Sequence, residues 1–238
     1  MVDRLDFGEL ADDIAVEARV ALRLTEEIKE LEERISVLFA HADPERILVS
    51  APGVGAITGA QILARLGDPN RFRTLAGVRS FSGLVPSLDA SSIAGHHGGP
   101  TKRGDACLRE ALFMAADHAR RIDPTLAARY HRLMVTAGKH HNSALCHIAT
   151  ALLTRIVTCW RREERYVIRD PDGYPISADE GRRIISERYT IPNELRQTRR
   201  LVNGDRPTRQ RTSRRSQESQ SAPSTGPSMS EATSLAAT

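Results

Sequence analysis

Ser91 and Ser92 lie in "GLVPSLDASSIAGHHGGPTKRGDACLREAL", residues 83–112, ahead of His96, His97 and the cations Lys102, Arg103 and Arg109. A serine hydroxyl becomes a nucleophile when a neighbour accepts its proton and fixed positive charge stabilises the developing anion. His96 or His97 could accept that proton. Lys102, Arg103 and Arg109 could supply the charge for a phosphorane-like transition state. Residues 85–99 have no apolar period and read as a loop, and the same composition also describes an ordinary solvated loop.

A second candidate precedes it, "SAPGVGAITGAQILARLGD", residues 50–68. Pro-Gly-Val-Gly stands directly before a helical pattern running from Thr58 to Leu66. Gly53 and Gly55 are expected to take backbone angles closed to other residues, which makes the bend tight. The bend delivers the chain to a helix N-terminus, where free N–H groups and the helix dipole favour an anion. With a short helix over "ERILVS" before it, this reads as a helix-hairpin-helix at about residues 46–67, its natural ligand a DNA phosphate. Gly53, Val54, Gly55 and Thr58 would line the contact, with Val54 pinned in the core and Ala60, Ile62 and Leu63 packing the second helix. Such contacts position DNA without reading bases. An α-hairpin whose glycines serve close packing is the other reading.

These sites need helices to hold them. Ala21, Leu24, Ile28, Leu31, Ile35 and Leu38 alternate steps of three and four, a heptad seam with charged residues on the other faces. A helix of this length cannot cover its own stripe, so residues 10–38 are expected to pair with a second copy or fold back. Asp43-Pro44 starts the next segment. Further helices are expected over residues 73–84, 101–121, 124–137, 142–160 and 179–189, with a small hairpin or extended turn in "YVIRDPDGYPIS". The chain therefore reads as mainly α, in three parts: a coiled-coil helix (1–42), a helical domain (43–192) and a basic, Ser/Pro-rich tail (193–238). The tail has almost no large apolar residues and is expected to be disordered.

The 238 residues are 40% hydrophobic and 27% charged, with a formal net charge of +4 that is unevenly spread. Acidic residues crowd the first 45 positions, whereas basic pairs recur at Arg120–Arg121, Arg161–Arg162 and Arg199–Arg200 and through 206–215. That asymmetry suits a polyanion such as nucleic acid. Three cysteines without a C-x-x-C pattern argue against a disulfide framework and for a reducing compartment. No signal peptide or membrane-spanning run is read, so a cytoplasmic, nucleoid-associated protein is expected.

The order of motifs resembles the C-terminal half of bacterial insertion-sequence transposases of the one-ten/one-sixteen/nine-oh-two type, which include the pilin-gene invertases. "APGVGAITGAQILARLGD", "RFRTLAGVRSFSGLVPS", "ASSIAG", "GGPTKRGDACLREALFMAADHA", "GKHHNSALCHIATALLTRIVTCWR" and "YVIRDPDGYPIS" carry the resemblance over about residues 46–192. It implies a recombinase whose serine attacks DNA, here Ser92 in preference to Ser91. Ile93 stands where the family usually has glycine. Complete members look like two-part enzymes with an N-terminal RNase H-like domain bearing four acidic metal ligands, and some are guided by an RNA from the element. Residues 1–41 are too short and too heptad-like for that domain. Asp3, Asp6, Asp12 and Asp13 read as a solvated acidic face. The resemblance thus implies a chain that binds DNA, with a guide RNA as a further partner, but does not complete recombination alone. No cofactor is expected within it, magnesium belonging to the RNase H-like part.

His140, His141, Cys146 and His147 have no recognised zinc spacing and are read as a helix start, not a metal site. Trp160, Tyr166 and Tyr174 are expected to pack. "GGPTKRG" lacks the P-loop order. Three functional classes follow: a DNA recombinase or its C-terminal part, a non-enzymatic nucleic-acid-binding module, and a dimerising interaction protein.

Overall fold

The computed structural model describes residues 8–84, 86–88, 97–100, 104–192 and 194–195. The expected tail lies outside the described residues, apart from residues 194–195. The described part is mainly α: α1 (Gly8–Ala42), α2 (Ala56–Leu66), α3 (Leu75–Ser82), α4 (Ala106–Ala119), α5 (Pro124–His131), α6 (His141–Arg161) and α7 (Ala178–Arg188), with short strands β1 (Pro86–Leu88) and β2 (His97–Pro100).

Helix α6 forms the centre. Leu145, Ile148, Ala149, Leu152, Leu153, Ile156 and Val157 recur at helical spacing and are all buried. They meet Leu108, Ala111, Leu112, Ala115, Ala116 and Ala119 of α4, and the alanines let the two helices approach closely. Ile62 and Leu66 of α2, Val78 of α3 and Leu126 of α5 close the core. By length and composition α6 is apolar enough to cross a membrane, which corrects the expectation that no such run exists. Its apolar face is covered by its neighbours in this fold.

Side chains start most helices. Thr74, Asp105, Asp123 and Ser177 each accept a hydrogen bond from a first-turn N–H of α3, α4, α5 and α7 respectively. The α1 stripe stays open: Leu24 is 56% exposed, Leu31 51% and Leu38 70%. At its C-terminal end Phe39 is buried against Gly59 of α2, where a Cβ would collide with the Phe39 ring.

Three expectations change. Residues 46–50 form turns instead of a helix: the Asp43 carboxylate takes the amides of Ile47 (2.8 Å) and Leu48 (3.0 Å), and Arg46 sits at φ 56°. The first arm of the expected helix-hairpin-helix is therefore absent as an α-helix. Within residues 85–99, β1 pairs antiparallel with β2, Pro86 opposite Pro100 and Leu88 opposite His97. The helix expected over 124–137 stops at His131 and widens into a π turn, Arg132–Thr136, in which the Ala137 N–H reaches the Arg132 carbonyl. The small hairpin or extended turn expected in "YVIRDPDGYPIS" is present as one isolated antiparallel bridge, Arg169 with Pro175, around a turn capped by Asp170.

Candidate nucleic-acid interface

The Pro-Gly-Val-Gly bend is built from the inside. Ala51 and Val54 are buried, and the Val54 N–H closes a turn on the Ala51 carbonyl at 3.1 Å. Gly53 has φ +79°, and a Cβ there would collide with the Ala115 carbonyl oxygen of α4. Glycine is thus required twice at this position, for its angle and for its contact. Gly55 differs from expectation: its φ is −91° and ψ −177°, ordinary extended backbone, with nothing within 4 Å of a built Cβ. Its role is at the helix start. As N-cap of α2 it offers no side chain, and the first turn of α2 carries no acidic residue. Among the described residues, the first amides of α2 have no intrahelical or capping partner. Thr58 in that turn is half-buried.

The serine-bearing segment springs from a closed stem. The Asp105 N–H donates to the Phe81 carbonyl at 2.9 Å. Gly83, at φ +68°, lies against Gly104, where a Cβ would collide with the Phe81 carbonyl and the Gly83 amide. Arg109 Nη1 reaches the carbonyls of Ser82 and Gly104, 3.5 Å each, so this guanidinium braces the stem. Ser91, Ser92, His96, Lys102 and Arg103 lie outside the described residues.

The bend and Arg109 lie at different places along α4. Gly53 packs on Ala115 and Ala119 near the end of α4, whereas Arg109 and the stem stand near its start. Ten residues of helix separate Arg109 from Ala119, roughly 15 Å. Helix α2 runs back along α4, for Arg65 pairs with Asp105 at 3.7 Å.

Arg161, read as part of a basic pair suited to a polyanion, holds the fold instead, and so does Arg155. Arg161 donates through Nε and Nη2 to the Pro69 carbonyl (3.1 and 2.9 Å) and through Nη2 to Phe72. Arg155 Nη1 donates to Asp123 (3.2 Å), Thr125 (2.8 Å) and Tyr166 (2.8 Å). Asp123 is 1% exposed and accepts the Tyr166 hydroxyl at 2.6 Å. Burial and the Asp123 charge push the Tyr166 phenol well above its ordinary range, against the pull of Arg155. The sequence hides this network because its members are far apart along the chain. Asp123-Pro124 is its one local sign, as a helix start. Tyr166 is buried as expected, but Tyr174 is 70% exposed and packs on little.

The histidines expected to begin a helix do so. His140 Nδ1 accepts the Asn142 N–H at 3.3 Å, and His141 Nδ1 lies 2.7 Å from Tyr130 Oη. Burial, with Lys139 and Arg129 nearby, lowers the His147 pKa and favours its neutral form. Among the described residues no three His, Cys, Asp or Glu side chains converge on a possible metal position. Asp12 and Asp13 are exposed on α1, while Asp3 and Asp6 lie outside the described residues.

Both the bend and the stem fall inside one segment with known counterparts. Residues 45–131 match the model of the transposase IS116/IS110/IS902 family. The chain is also similar to an uncharacterised 43.6 kDa protein of insertion element IS110 from Streptomyces coelicolor, 30% identical over 153 residues, 64% of this chain and 38% of that one. It is 32% identical over 127 residues to a mini-circle putative transposase for IS117 from the same organism, covering 53% of this chain and 30% of the relative. A 42 kDa protein of insertion element IS900 from Mycobacterium paratuberculosis is 31% identical over 134 residues, 56% and 33% of the two chains. The chain thus spans about a third of the length of these relatives. The matches support the transposase resemblance carried by the sequence motifs.

Proposed function

We propose that this chain acts on DNA as the C-terminal part of an insertion-element transposase, with the bend at Gly53–Thr58 holding a strand by its phosphates. The observation that carries the reading is the match over residues 45–131, which takes in the bend, both serines and the basic start of α4 in one ordered segment. The uncapped start of α2 supports it chemically, since unpartnered amides at a helix N-terminus suit an anion.

In this reading Ser92, or Ser91 in its place, attacks a phosphodiester. A serine oxygen–phosphorus bond forms, the phosphorus–oxygen bond to one sugar breaks, and the freed sugar oxygen takes a proton. Lys102 and Arg103 offset the charge on the phosphoryl oxygens, and Arg109 positions the loop through its stem. Metal-dependent steps fall to sequence other than these 238 residues, so the chain alone binds DNA without completing strand transfer. A guide RNA is a further partner, and the α1 stripe pairs two copies.

Binding to element-end duplex tests the reading. Affinity is expected to fall at least about 10-fold between 50 and 200 mM salt, the behaviour of a contact set dominated by phosphates. Gly53→Ala should weaken it, and Ser92→Ala should leave it intact while abolishing any covalent protein–DNA adduct. No affinity for duplex at low salt would refute the reading, and robust strand transfer by the purified chain with magnesium would refute its incompleteness. A non-catalytic interaction protein is the second reading, favoured by the open stripe of α1. It expects co-purification with an intact transposase and no adduct.

A further inference from the structure

A cleft of about 220 Å3 opens between the end of α4, α5 and α7. Arg120 and Arg121 come to it from the end of α4, Arg182 from α7, and Tyr130 and Tyr189 from its walls. Helix α7 is held close by Gly181, where a Cβ would collide with the Ile122 carbonyl.

The charges do not cancel. One carboxylate, Asp117, serves both Arg120 and Arg121. Burial pushes that carboxyl up, but the Arg120 hydrogen bond and the neighbouring positive charges outweigh it and hold Asp117 below its usual range. Arg182 pairs with Asp179, which is 92% exposed and outside the cleft. Such an exposed pair is readily exchanged for a better anion. Among the described residues, Nε and Nη1 of Arg121 and Nε and Nη2 of Arg182 have no partner.

The walls are aromatic as well as basic. Arg120 lies 4.3 Å over the Tyr130 ring, and Tyr189 stands 6.0 Å from the His131 ring. Guanidinium forks match phosphate oxygens, and aromatic and guanidinium faces stack bases. A volume below the roughly 300–1,000 Å3 of pockets that engulf a whole ligand suits a single unit of a polymer. A base reaches such a recess only when it is out of a duplex stack.

We propose that this cleft takes one unstacked nucleotide of a single-stranded nucleic acid, its phosphate on Arg121 and Arg182 and its base against Tyr189. The site is separate from the bend at Gly53–Thr58 but stands at the same end of α4, so a strand leaving one can enter the other. The inference shares with the proposed function the premise of nucleic-acid binding, yet it fails on its own terms.

The test uses the full chain with a labelled single-stranded 12-mer, as DNA and as RNA, and the duplex of the DNA sequence. Tyr189→Leu should weaken single-strand binding about 10-fold, a typical loss for a base-stacking contact, and Arg182→Ala should weaken it about as much by removing a phosphate contact, both leaving duplex binding within about twofold. Arg182→Lys should lose less than Arg182→Ala. The stronger of the DNA and RNA arms identifies the natural strand. A 12-mer carrying 5-iodouracil should photocrosslink to Tyr189 in the wild-type chain, a readout that survives if a variant loosens α7. Unchanged single-strand affinity, equal losses for duplex, crosslinks elsewhere, or inorganic phosphate competing at stoichiometric levels would each overturn the inference. Single-strand binding without duplex binding would keep the cleft and refute the bend.

Discussion

Tyr166 donates a hydrogen bond from its hydroxyl to Asp123, a carboxylate that water barely reaches, while Arg155 approaches both from α6. Removing the hydroxyl leaves Asp123 one donor short in a buried place. Tyr166→Phe is expected to cost about 1–2 kcal/mol, and Asp123→Ala about 3 kcal/mol because it also uncaps α5 and strands Arg155, both read from urea unfolding. The raised phenol pKa gives a signed pH dependence. Above pH 10 the unfolded chain releases the Tyr166 proton while the folded chain keeps it. Stability contributed by this group is therefore complete below about pH 10 and lost as pH rises beyond it, by at most about 1.4 kcal/mol per pH unit. Urea midpoints of wild type and Tyr166→Phe should converge as the buffer is made alkaline. No sequence window contains this network, since Asp123 and Tyr166 are 43 positions apart. Arg161 was legible as charge but not as a brace, because its acceptors are backbone carbonyls of a distant turn.

Helices were legible in the sequence as periodicity, and their ends less so. Helix α6 emerges from Asn142–Trp160 with one residue added at each end, because its stripe is long and its flanks are polar. The first arm of the hairpin failed for a local reason: Asp43 captures amides that a helix would have used, and six residues offer no stripe to resist it. The need for glycine at position 53 was legible, but its reason, contact with the Ala115 carbonyl, belongs to the packing of α4. Helix α7 shows the same kind of dependence. Its sequence, ADEGRRIISER, is mostly charged and buries only Gly181, so its place rests on that glycine meeting the Ile122 carbonyl. Gly181→Ala should lift α7 from that turn. Hydrogen exchange is expected to quicken at least about 10-fold over residues 178–188, with α4 and α6 still protected; uniform loss of protection would count against this local picture.

At the scale of the molecule, α1 projects an apolar stripe with no cover among the described residues except near Phe39. At 35 residues it is roughly 50 Å long, and the stability a helix draws from packing an apolar face is largely missing from it here. Light scattering of the 26.2 kDa chain is expected to give a dimer mass, and Leu24→Glu with Leu31→Glu to return the mass of a single chain. A dimer that survives both changes would place the contact elsewhere. The heptads were plain in the sequence, but their partner is a matter of association, which neither spacing nor one folded chain determines. Much of the candidate chemistry was likewise visible as residue types, while the way α2 lies back along α4, pairing Arg65 with Asp105, belongs to the packing. One last feature reaches further. The clasp of Gly83 on Gly104, bolted by Arg109, fixes where the serine-bearing excursion leaves and rejoins the scaffold. A side chain at either glycine would meet backbone that cannot give way, so Gly104→Ala is expected to part the two strands of chain and loosen the start of α4, read as faster hydrogen exchange over residues 106–109.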